Sequence, residues 1–156
     1  MCITMSPIGV IRSPFKTKEE TPIQGIFQPD AAGVVEVFPE FADGLRDIEG
    51  FSHIILLYHF HCAGPVELVR RTFLDDNEPH GVFASRHPCR PNGIGLSVVR
   101  LLGREGGFLR VGEIDVLDGT PLLDIKPYVR RFDCRPQAAS GWLEGKEGRE
   151  KPPGRE

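Results

Sequence analysis

Alternating and continuous apolar runs along the chain predict a series of short β-strands joined by polar connections. Residues 3–15 (ITMSPIGVIRSPF) predict a strand that ends near Pro14, because a proline holds the residue before it in extended geometry. Residues 33–38 (GVVEVF) predict a second strand. Residues 52–62 (SHIILLYHFHC) are apolar on both faces, which is typical of a fully covered central strand. Between the first two strands, residues 16–29 are charged and interrupted by proline and glycine, which indicates a loop, the first loop below.

The second half of the chain continues the β-pattern at short spacing. The runs that predict strands are GVFAS (81–85), IGLSVVRLL (94–102), GFLRVGEIDVL (107–117) and TPLLDIKPY (120–128). Glycine-rich residues 103–107 predict a hairpin turn, and a change of inward parity beside Gly112 predicts a β-bulge. The polar residues 75–80 predict a turn, whereas residues 66–74 fit a strand or a helix equally well.

One helix is predicted, over residues 39–50, where Phe41, Leu45 and Ile48 fall on one helical face. Short strands at regular spacing with a single helix predict a mainly β fold, either a barrel or a rolled sheet. We assign residues 1–144 to one β domain. Residues 145–156 form a polar tail, rich in proline and glycine, whose composition predicts disorder.

Composition narrows the class of protein without selecting a function. The chain of 156 residues is 40% hydrophobic and 26% charged, as expected for one globular domain, and its net charge of −3 provides no overall basic field. Its longest apolar run, IILLY, is far too short for a membrane span, and no signal peptide is evident. Four scattered cysteines fit reduced thiols better than disulfides or a zinc knuckle. These features predict a soluble, cytoplasmic protein.

Residues 83–97 (FASRHPCRPNGIGLS), the central loop below, concentrate rigid and cationic chemistry on one connection. Prolines fix backbone angles, glycines allow the backbone to approach a ligand closely, and Arg86 and Arg90 supply planar guanidinium groups. This combination suits a carboxylate, a phosphate or an aromatic ring. The alternative is a rigid surface connection in which the arginines have no binding role.

Two further clusters carry candidate chemistry. In a strand, His59 and His61 point to the same face, which suits a metal site, although no third ligand with convincing spacing accompanies them. The simpler interpretation is a pair of ordinary histidines at the end of a buried strand. Asp115, Asp118 and Asp124 are close enough in sequence to form one acidic rim, although a hairpin with a solvated turn also explains them.

Six stretches in a fixed order resemble the TsaA-like family, whose best-characterised members are TrmO-type methyltransferases. These stretches are IGVIRSPF, TPIQG, EGFSHIILLYHFH, GVFASRHPCRPNGIGLSVVRL, DVLDGTPLLDIKPYV and FDCRPQAASGWLE. The resemblance implies a small antiparallel β-barrel with one or two short helices, acting as a homodimer with its cofactor near the subunit interface. It also implies transfer of a methyl group from S-adenosyl-L-methionine to the exocyclic amine of threonylcarbamoyladenosine, next to the anticodon of tRNA.

The resemblance places the cofactor contacts at matching positions of this chain. They are Pro22, Ile23, Gln24, His61, Cys62, Arg86, Leu96, Asp118, Gly119, Thr120 and Pro121. Two positions depart from the family pattern, since Ile23 replaces an arginine and Gly93 replaces a proline, and SRHPC stands where TRSPF is typical. These departures remove a charge and loosen the central loop. They favour cofactor binding over an identical selectivity for tRNA.

Within this interpretation the sequence suggests roles for individual side chains. Asp118 or His61 would accept the proton of the adenine amine, and Arg86 would orient the cofactor or the threonyl carboxylate of the substrate. The residues expected to meet tRNA phosphates are Arg90, Lys126, Arg130, Arg131 and Arg135. No resident metal is expected.

Two other classes of function remain open from the sequence. The chain would be a metal-dependent enzyme if His59, His61 and a carboxylate held a transition metal. It would be a non-catalytic binding protein if it bound the cofactor or RNA without turnover.

Overall fold

Six strands close into an antiparallel barrel in a computed structural model of the chain, which describes residues 1–151. The strands are β1 (Gly9–Arg12), β2 (Ala32–Val37), β3 (His53–His59), β4 (Val69–Thr72), β5 (Asp75–Gly81), β6 (Ile94–Glu105), β7 (Phe108–Gly112) and β8 (Thr120–Pro127). The order around the barrel is β1-β2-β7-β6-β3-β8, and every neighbouring pair is antiparallel. Strands β4 and β5 form a separate sheet within the connection from β3 to β6. The predicted small antiparallel barrel is confirmed.

The barrel interior is filled by alternate side chains of its strands. On β3, Ile54 and Leu56 are fully buried and Tyr58 is 5% exposed, because successive residues of a strand point to opposite faces. Truncating a fully buried Ile or Leu to Ala typically costs about 2–5 kcal/mol of unfolding free energy. Strand β3 lies between β6 and β8, as expected for a central strand. Its outer residues Ile55 and Leu57 are only partly buried, so the predicted full coverage of both faces does not occur within one chain.

The predicted helix over residues 39–50 is not an α-helix. The segment forms two 3-10 helices, Pro39–Leu45 and Ile48–Gly50. They are separate because Asp47 has φ 68°, a left-handed conformation that a continuous α-helix excludes. Only Leu45 and Ile48 of the predicted apolar face are buried, whereas Phe41 is 43% exposed. The one α-helix of the described residues is α1 (Arg130–Asp133).

Two local predictions in the connection from β3 to β6 are wrong. Residues 75–80, expected as a turn, belong to β5, which pairs with β4 so that Arg70 lies opposite His80. A polar strand is stable here because the buried Asp75 carboxylate accepts hydrogen bonds from the backbone N–H groups of Asn77 and Glu78. Residues 81–85, expected as a strand, contain the 3-10 turn Val82–Ala84.

The hairpin between β6 and β7 is confirmed, and its turn consists of Gly106 and Gly107 between the paired residues Glu105 and Phe108. Gly106 has φ 57°, which a glycine adopts without strain. The predicted β-bulge is displaced to the partner strand, since the register shifts between Leu101 and Gly103 of β6. The run predicted as a strand over 107–117 ends at Gly112, because the following residue adopts a positive φ.

Part of the predicted tail contacts the rest of the chain. Residues 145–148 lie in a turn, and Lys146 and Lys151 contact side chains or backbone far away in sequence. Residues 152–156 lie outside the described residues, so the boundary at residue 144 and the disorder of the tail stay predictions. Over residues 1–151, the helices are all too short or too polar to cross a bilayer.

Candidate functional site

Three connections emerge at the same end of the barrel. They are residues 13–31 between β1 and β2, residues 60–93 between β3 and β6, and residues 113–119 between β7 and β8. Antiparallel pairing brings them together, since Tyr58 at the end of β3 lies opposite Gly95 and Leu122, near the starts of β6 and β8. This geometry gathers stretches from distant parts of the sequence. The stretches at this end carry Pro22–Gln24, His61–Cys62, Arg86 and Asp118–Pro121.

The first loop and the central loop are joined by a hydrogen bond between side chains. Arg86 Nη1 donates to Gln24 Oε1 at 2.7 Å, and Gln24 Nε2 donates to the carbonyl oxygen of Ile23 at 2.7 Å. Both contacts involve residues that the family resemblance assigns to the cofactor. The Arg86 side chain is exposed, so its guanidinium lies where a ligand can reach it.

Arg90 has a different environment within the same central loop. Its Nη1 donates to the carbonyl oxygen of Ser85 at 2.8 Å and approaches that of His87 at 3.5 Å. Part of the Arg90 guanidinium therefore holds the shape of the central loop. The two arginines that look equivalent in the sequence have different partners.

Asp115, which the sequence suggested as part of an acidic rim, forms a polar network that the sequence did not indicate. Its Oδ2 accepts a hydrogen bond from the backbone N–H of Gly25 at 3.0 Å, and its Oδ1 accepts one from the Ser97 hydroxyl. The Tyr58 hydroxyl in turn lies 2.9 Å from Ser97 Oγ. Asp115 thus ties the first loop to β6 and the barrel interior. The signal available in the sequence was Ser97, a polar residue at an inward position of an otherwise apolar strand.

Burial controls the protonation of this network. Burial raises the pKa of the Asp115 carboxyl to about 6, although hydrogen bonds from Ser97 and Gly25 and the charge of Arg86 oppose that rise. Burial, followed by the nearby Asp115 charge, raises the pKa of the Tyr58 hydroxyl well above its usual range. Tyr58 therefore remains a neutral phenol, and the Asp115 carboxyl changes its protonation at mildly acidic pH.

Asp118, a predicted proton acceptor, is already engaged. Its Oδ1 accepts the backbone N–H of Ser13 at 3.0 Å, and its Oδ2 pairs with Lys16 Nζ at 2.6 Å. The hydrogen bond from Lys16, followed by that from Ser13, lowers the pKa of Asp118. An ionised carboxylate with both oxygens occupied is a weak base. Asp118 therefore anchors the turn before β8 to the end of β1, a contact with Lys16 that no sequence pattern indicated.

The remaining residues of this turn have structural contacts as well. Gly119 has φ 78°, and its N–H donates to the carbonyl oxygen of Ile11 at 2.9 Å. Thr120 is 2% exposed, and its hydroxyl donates to the carbonyl oxygen of Leu117 at 2.6 Å. A Cβ added at Gly119 would meet no atom within 4 Å. The backbone of the turn therefore lies beside open space, where a ligand can approach it.

The histidines at the end of β3 lie near the central loop. A Cβ added at Gly93 would lie 3.3 Å from His59 Nε2, so the ring of His59 rests beside that turn. His61 and Cys62 are exposed. Among residues 1–151, His, Cys, Asp and Glu side chains nowhere form a group of three or more that could hold a metal ion. The metal-enzyme alternative thus has no ligand set in this part of the chain.

The other predicted site residues lie outside the group of loops at this end. Leu96 is near this end of β6, opposite Leu57, but its side chain lies on the outer wall of the barrel and is 42% exposed. Lys126 of β8 pairs with Ile55 near the start of β3, at the opposite end of the barrel. The helix α1 is the next element along the chain. The cationic residues Lys126, Arg130, Arg131 and Arg135 are exposed there.

The sequence is similar to proteins of one family. The family described as the tRNA-methyltransferase O N-terminal domain matches residues 10–134. A protein of Archaeoglobus fulgidus named as an S-adenosyl-L-methionine-binding protein is 46% identical over 130 residues, covering 83% of this chain and 92% of that protein. The tRNA (adenine(37)-N6)-methyltransferase of Escherichia coli is 38% identical over 146 residues, covering 88% of this chain and 62% of that enzyme.

Solved structures agree with these sequence matches. A crystal structure of TrmO superposes with a TM-score of 0.80 and 46% identity, covering 90% of this chain and 64% of that chain. TrmO from Pseudomonas aeruginosa gives a TM-score of 0.77 and 46% identity, covering 90% and 62%. The chain spans less than two thirds of these structures. The fold and the sequence agree with the resemblance drawn from the six motifs, and the chain therefore belongs to the tRNA-methyltransferase O family.

Proposed function

We propose that this chain is an S-adenosyl-L-methionine-dependent tRNA methyltransferase acting on the exocyclic amine of threonylcarbamoyladenosine next to the anticodon. The observation that carries the proposal is the meeting of three connections at one barrel end, with Arg86 and Gln24 in direct contact. The names of the relatives support it, since one is an S-adenosyl-L-methionine-binding protein and another methylates adenine 37 of tRNA at N6.

The residues at this end fit the proposed cofactor, which carries a carboxylate, an ammonium group, a sulfonium and an adenine ring. The Arg86 guanidinium suits the carboxylate, and the exposed backbone beside Gly119 allows close approach of a ligand. We propose that the binding set is Pro22, Ile23, Gln24, His61, Cys62, Arg86, Leu96, Asp118, Gly119, Thr120 and Pro121. Bound S-adenosyl-L-methionine supplies a methyl group on an activated leaving group.

The protein's own contribution to such a reaction is alignment and exclusion of water. Positioning of reactants contributes at most about 7–11 kcal/mol to lowering a barrier. Arg86, held by Gln24, orients either the cofactor or the threonyl carboxylate of the substrate. Asp115 keeps the first loop in place through Gly25, the residue next to Gln24.

The adenine amine must lose a proton during methylation. Of the two acceptors proposed from the sequence, Asp118 is disfavoured, because Lys16 and the Ser13 N–H already occupy its oxygens. We therefore assign the proton to His61, which is exposed at the end of β3. The pH dependence of single-turnover methylation in His61→Gln and Asp118→Asn separates the two. A pH profile altered only by Asp118→Asn overturns the assignment.

We further propose that the chain works as a homodimer in the cytoplasm. The support is an apolar strip on the outer wall of the barrel, where Ile55 lies opposite Val98 and Leu57 lies opposite Leu96. Val98 and Leu96 are 40% and 42% exposed. A second copy covering this strip would remove its apolar area from water and place Leu96 at the interface. Light scattering that finds an active, stable monomer at micromolar concentration contradicts the dimer.

The first experiment measures binding and turnover in the wild-type chain. S-adenosyl-L-methionine is expected to raise the melting temperature, because a ligand at 100 times its Kd stabilises the native state by about 2.7 kcal/mol. Mass spectrometry of nucleosides should then find methylated threonylcarbamoyladenosine in tRNA incubated with protein and cofactor. Binding without methylation of any modified tRNA would favour the non-catalytic alternative. Absence of both binding and a thermal shift at millimolar cofactor contradicts the proposal altogether.

The second experiment tests the proposed phosphate contacts of Arg90, Lys126, Arg130, Arg131 and Arg135. The double change Arg130→Ala with Arg131→Ala should weaken tRNA binding and flatten its salt dependence by about 0.7–0.9 in log–log slope for each lost phosphate contact. Cofactor affinity should not change, because α1 lies at the opposite end of the chain's own barrel. Arg46→Ala, at an exposed arginine outside this segment, is the matched control. An unchanged slope in the double variant places the tRNA elsewhere.

A further inference from the structure

The segment Gly141–Lys151 returns to the end of the barrel that holds the candidate site. Strand β8 ends at the opposite end, where the N–H of Tyr128 donates to the carbonyl oxygen of His53 at 3.2 Å. The chain then passes through α1 and comes back. The match to the family model ends at residue 134, and residues 141–144 belong to the last of the six stretches that resemble the family.

Trp142 attaches this segment to the central loop. Its Nε1 donates to the carbonyl oxygen of Ala84 at 2.8 Å, two residues before Arg86. Its indole also stacks on the ring of His80 in β5, with ring centroids 3.9 Å apart and planes 8° from parallel. A stacked ring with a directed N–H donor fixes both the position and the orientation of the contact.

Lys146 provides a second attachment, to the sheet next to the central loop. Its ammonium group pairs with Asp75, a carboxylate that is only 7% exposed and also lies 3.2 Å from His80 Nε2. The hydrogen bond from Lys146, followed by that from His80, lowers the pKa of Asp75. Removing Lys146 therefore leaves a buried carboxylate with fewer partners. Lys146 Nζ also lies 5.9 Å from the centroid of the Trp142 ring.

Lys151 attaches the same segment to the first loop. Its ammonium group donates to the carbonyl oxygens of Lys18 at 2.7 Å and Thr21 at 3.0 Å. Thr21 directly precedes Pro22–Gln24, the part of the first loop that the proposed cofactor site uses. One segment of eleven residues thus contacts both loops that meet through Arg86 and Gln24.

We propose that Gly141–Lys151 is a strap that holds the first loop against the central loop and so sets the affinity of the site for its cofactor. Trp142, Lys146 and Lys151 are positioning residues in this device. The strap is needed because the Arg86–Gln24 hydrogen bond joins exposed side chains, and such a bond competes with water. The predicted effect on cofactor affinity rests on the proposed function, whereas the predicted effect on how the two loops are held together does not.

Hydrogen–deuterium exchange of the cofactor-free, full-length protein tests the strap directly. Trp142→Ala should speed amide exchange by about 5-fold or more in both residues 18–25 and residues 82–86, because opening of either loop becomes easier. Phe132→Ala is the control, since Phe132 is an aromatic of the same C-terminal region that is 66% exposed. Faster exchange confined to residues 82–86 overturns the proposal, since Trp142 would then be a local anchor.

Lys151→Ala provides the reciprocal experiment at the other end of the strap. It should speed exchange not only around Lys18 and Thr21 but also in residues 82–86, with the melting temperature nearly unchanged. A response confined to the first loop contradicts the strap. Because both variants alter partly exposed side chains, global unfolding does not obscure either result.

Cofactor titration supplies the functional measurement. The Kd for S-adenosyl-L-methionine should rise about 5-fold in Trp142→Ala and in Lys146→Met, and kcat at saturating cofactor should stay at the wild-type value. An unchanged Kd in variants whose loops exchange faster overturns the link to the cofactor. If the wild-type protein binds no cofactor, the proposed function fails, and the exchange experiments still decide whether the strap exists.

Discussion

Arg86→Lys is expected to lower methyl transfer by about 100-fold, the loss that a misplacement of about 1 Å in a site can cause. The substitution keeps the positive charge and removes the planar fork that donates to Gln24 Oε1 at 2.7 Å. A lysine ammonium has one compact donor group, so it cannot hold Gln24 and orient an anionic group in the same plane. The melting temperature should hardly change, because Arg86 is exposed and lies outside the barrel strands.

Steady-state kinetics with defined tRNA and a thermal melt of the same preparation measure both parts of this prediction. Arg71→Lys is the matched control, because Arg71 is an exposed arginine on β4 with no assigned role in the site. Full activity in Arg86→Lys would show that charge alone suffices there. The central loop would then return to its simpler interpretation as a rigid surface connection.

Gly25→Ala is expected to reduce methyl transfer by a similar factor, about 100-fold, through displacement of the first loop. A Cβ at this position would overlap the carbonyl oxygen of Glu113, a backbone atom that cannot rotate away. The loop must therefore move, which weakens the hydrogen bond from Gly25 N to Asp115 and shifts Gln24 away from Arg86. Overpacking of this kind costs about 1–3 kcal/mol of unfolding free energy, which leaves the barrel folded.

The control for Gly25→Ala is Gly44→Ala, because a Cβ at Gly44 would meet no atom within 4 Å. Calorimetry with S-adenosyl-L-methionine should show weaker binding for Gly25→Ala and wild-type binding for Gly44→Ala. If Gly25→Ala binds and methylates normally, the first loop reaches its active position without the contact between Gly25 and Asp115. The role assigned to Asp115 would then be wrong.

The apolar pattern determined the barrel because each strand pairs its inward residues with a common interior. Residues 94–102 and 120–128 alternate or run apolar over their whole length, and β6 and β8 follow them closely. The apolar pattern did not predict the strand whose buried side chain is stabilised by polar partners. Strand β5 has no apolar alternation, and it forms because Asp75 finds His80, Lys146 and local N–H groups.

The prediction of a helix over residues 39–50 was wrong for a related reason. Its apolar spacing fits a helix, but Asp47 adopts a left-handed conformation that interrupts it before β3. The periodic spacing of apolar residues predicts which side chains are buried. This spacing does not predict the path of the backbone into a strand whose position is set by its neighbouring strands.

The sequence by itself determined the class of fold, the family and the stretches that carry the candidate site, because these depend on residue types at fixed local spacing. Only the tertiary structure decided which side chains are partners. It paired Asp118 with Lys16, Asp115 with Gly25, and Lys151 with the first loop, across separations of 102, 90 and 130 or more residues. The first two contacts follow from strand order and register around a closed barrel, and the third follows from the path of the segment after β8. Local spacing encodes neither.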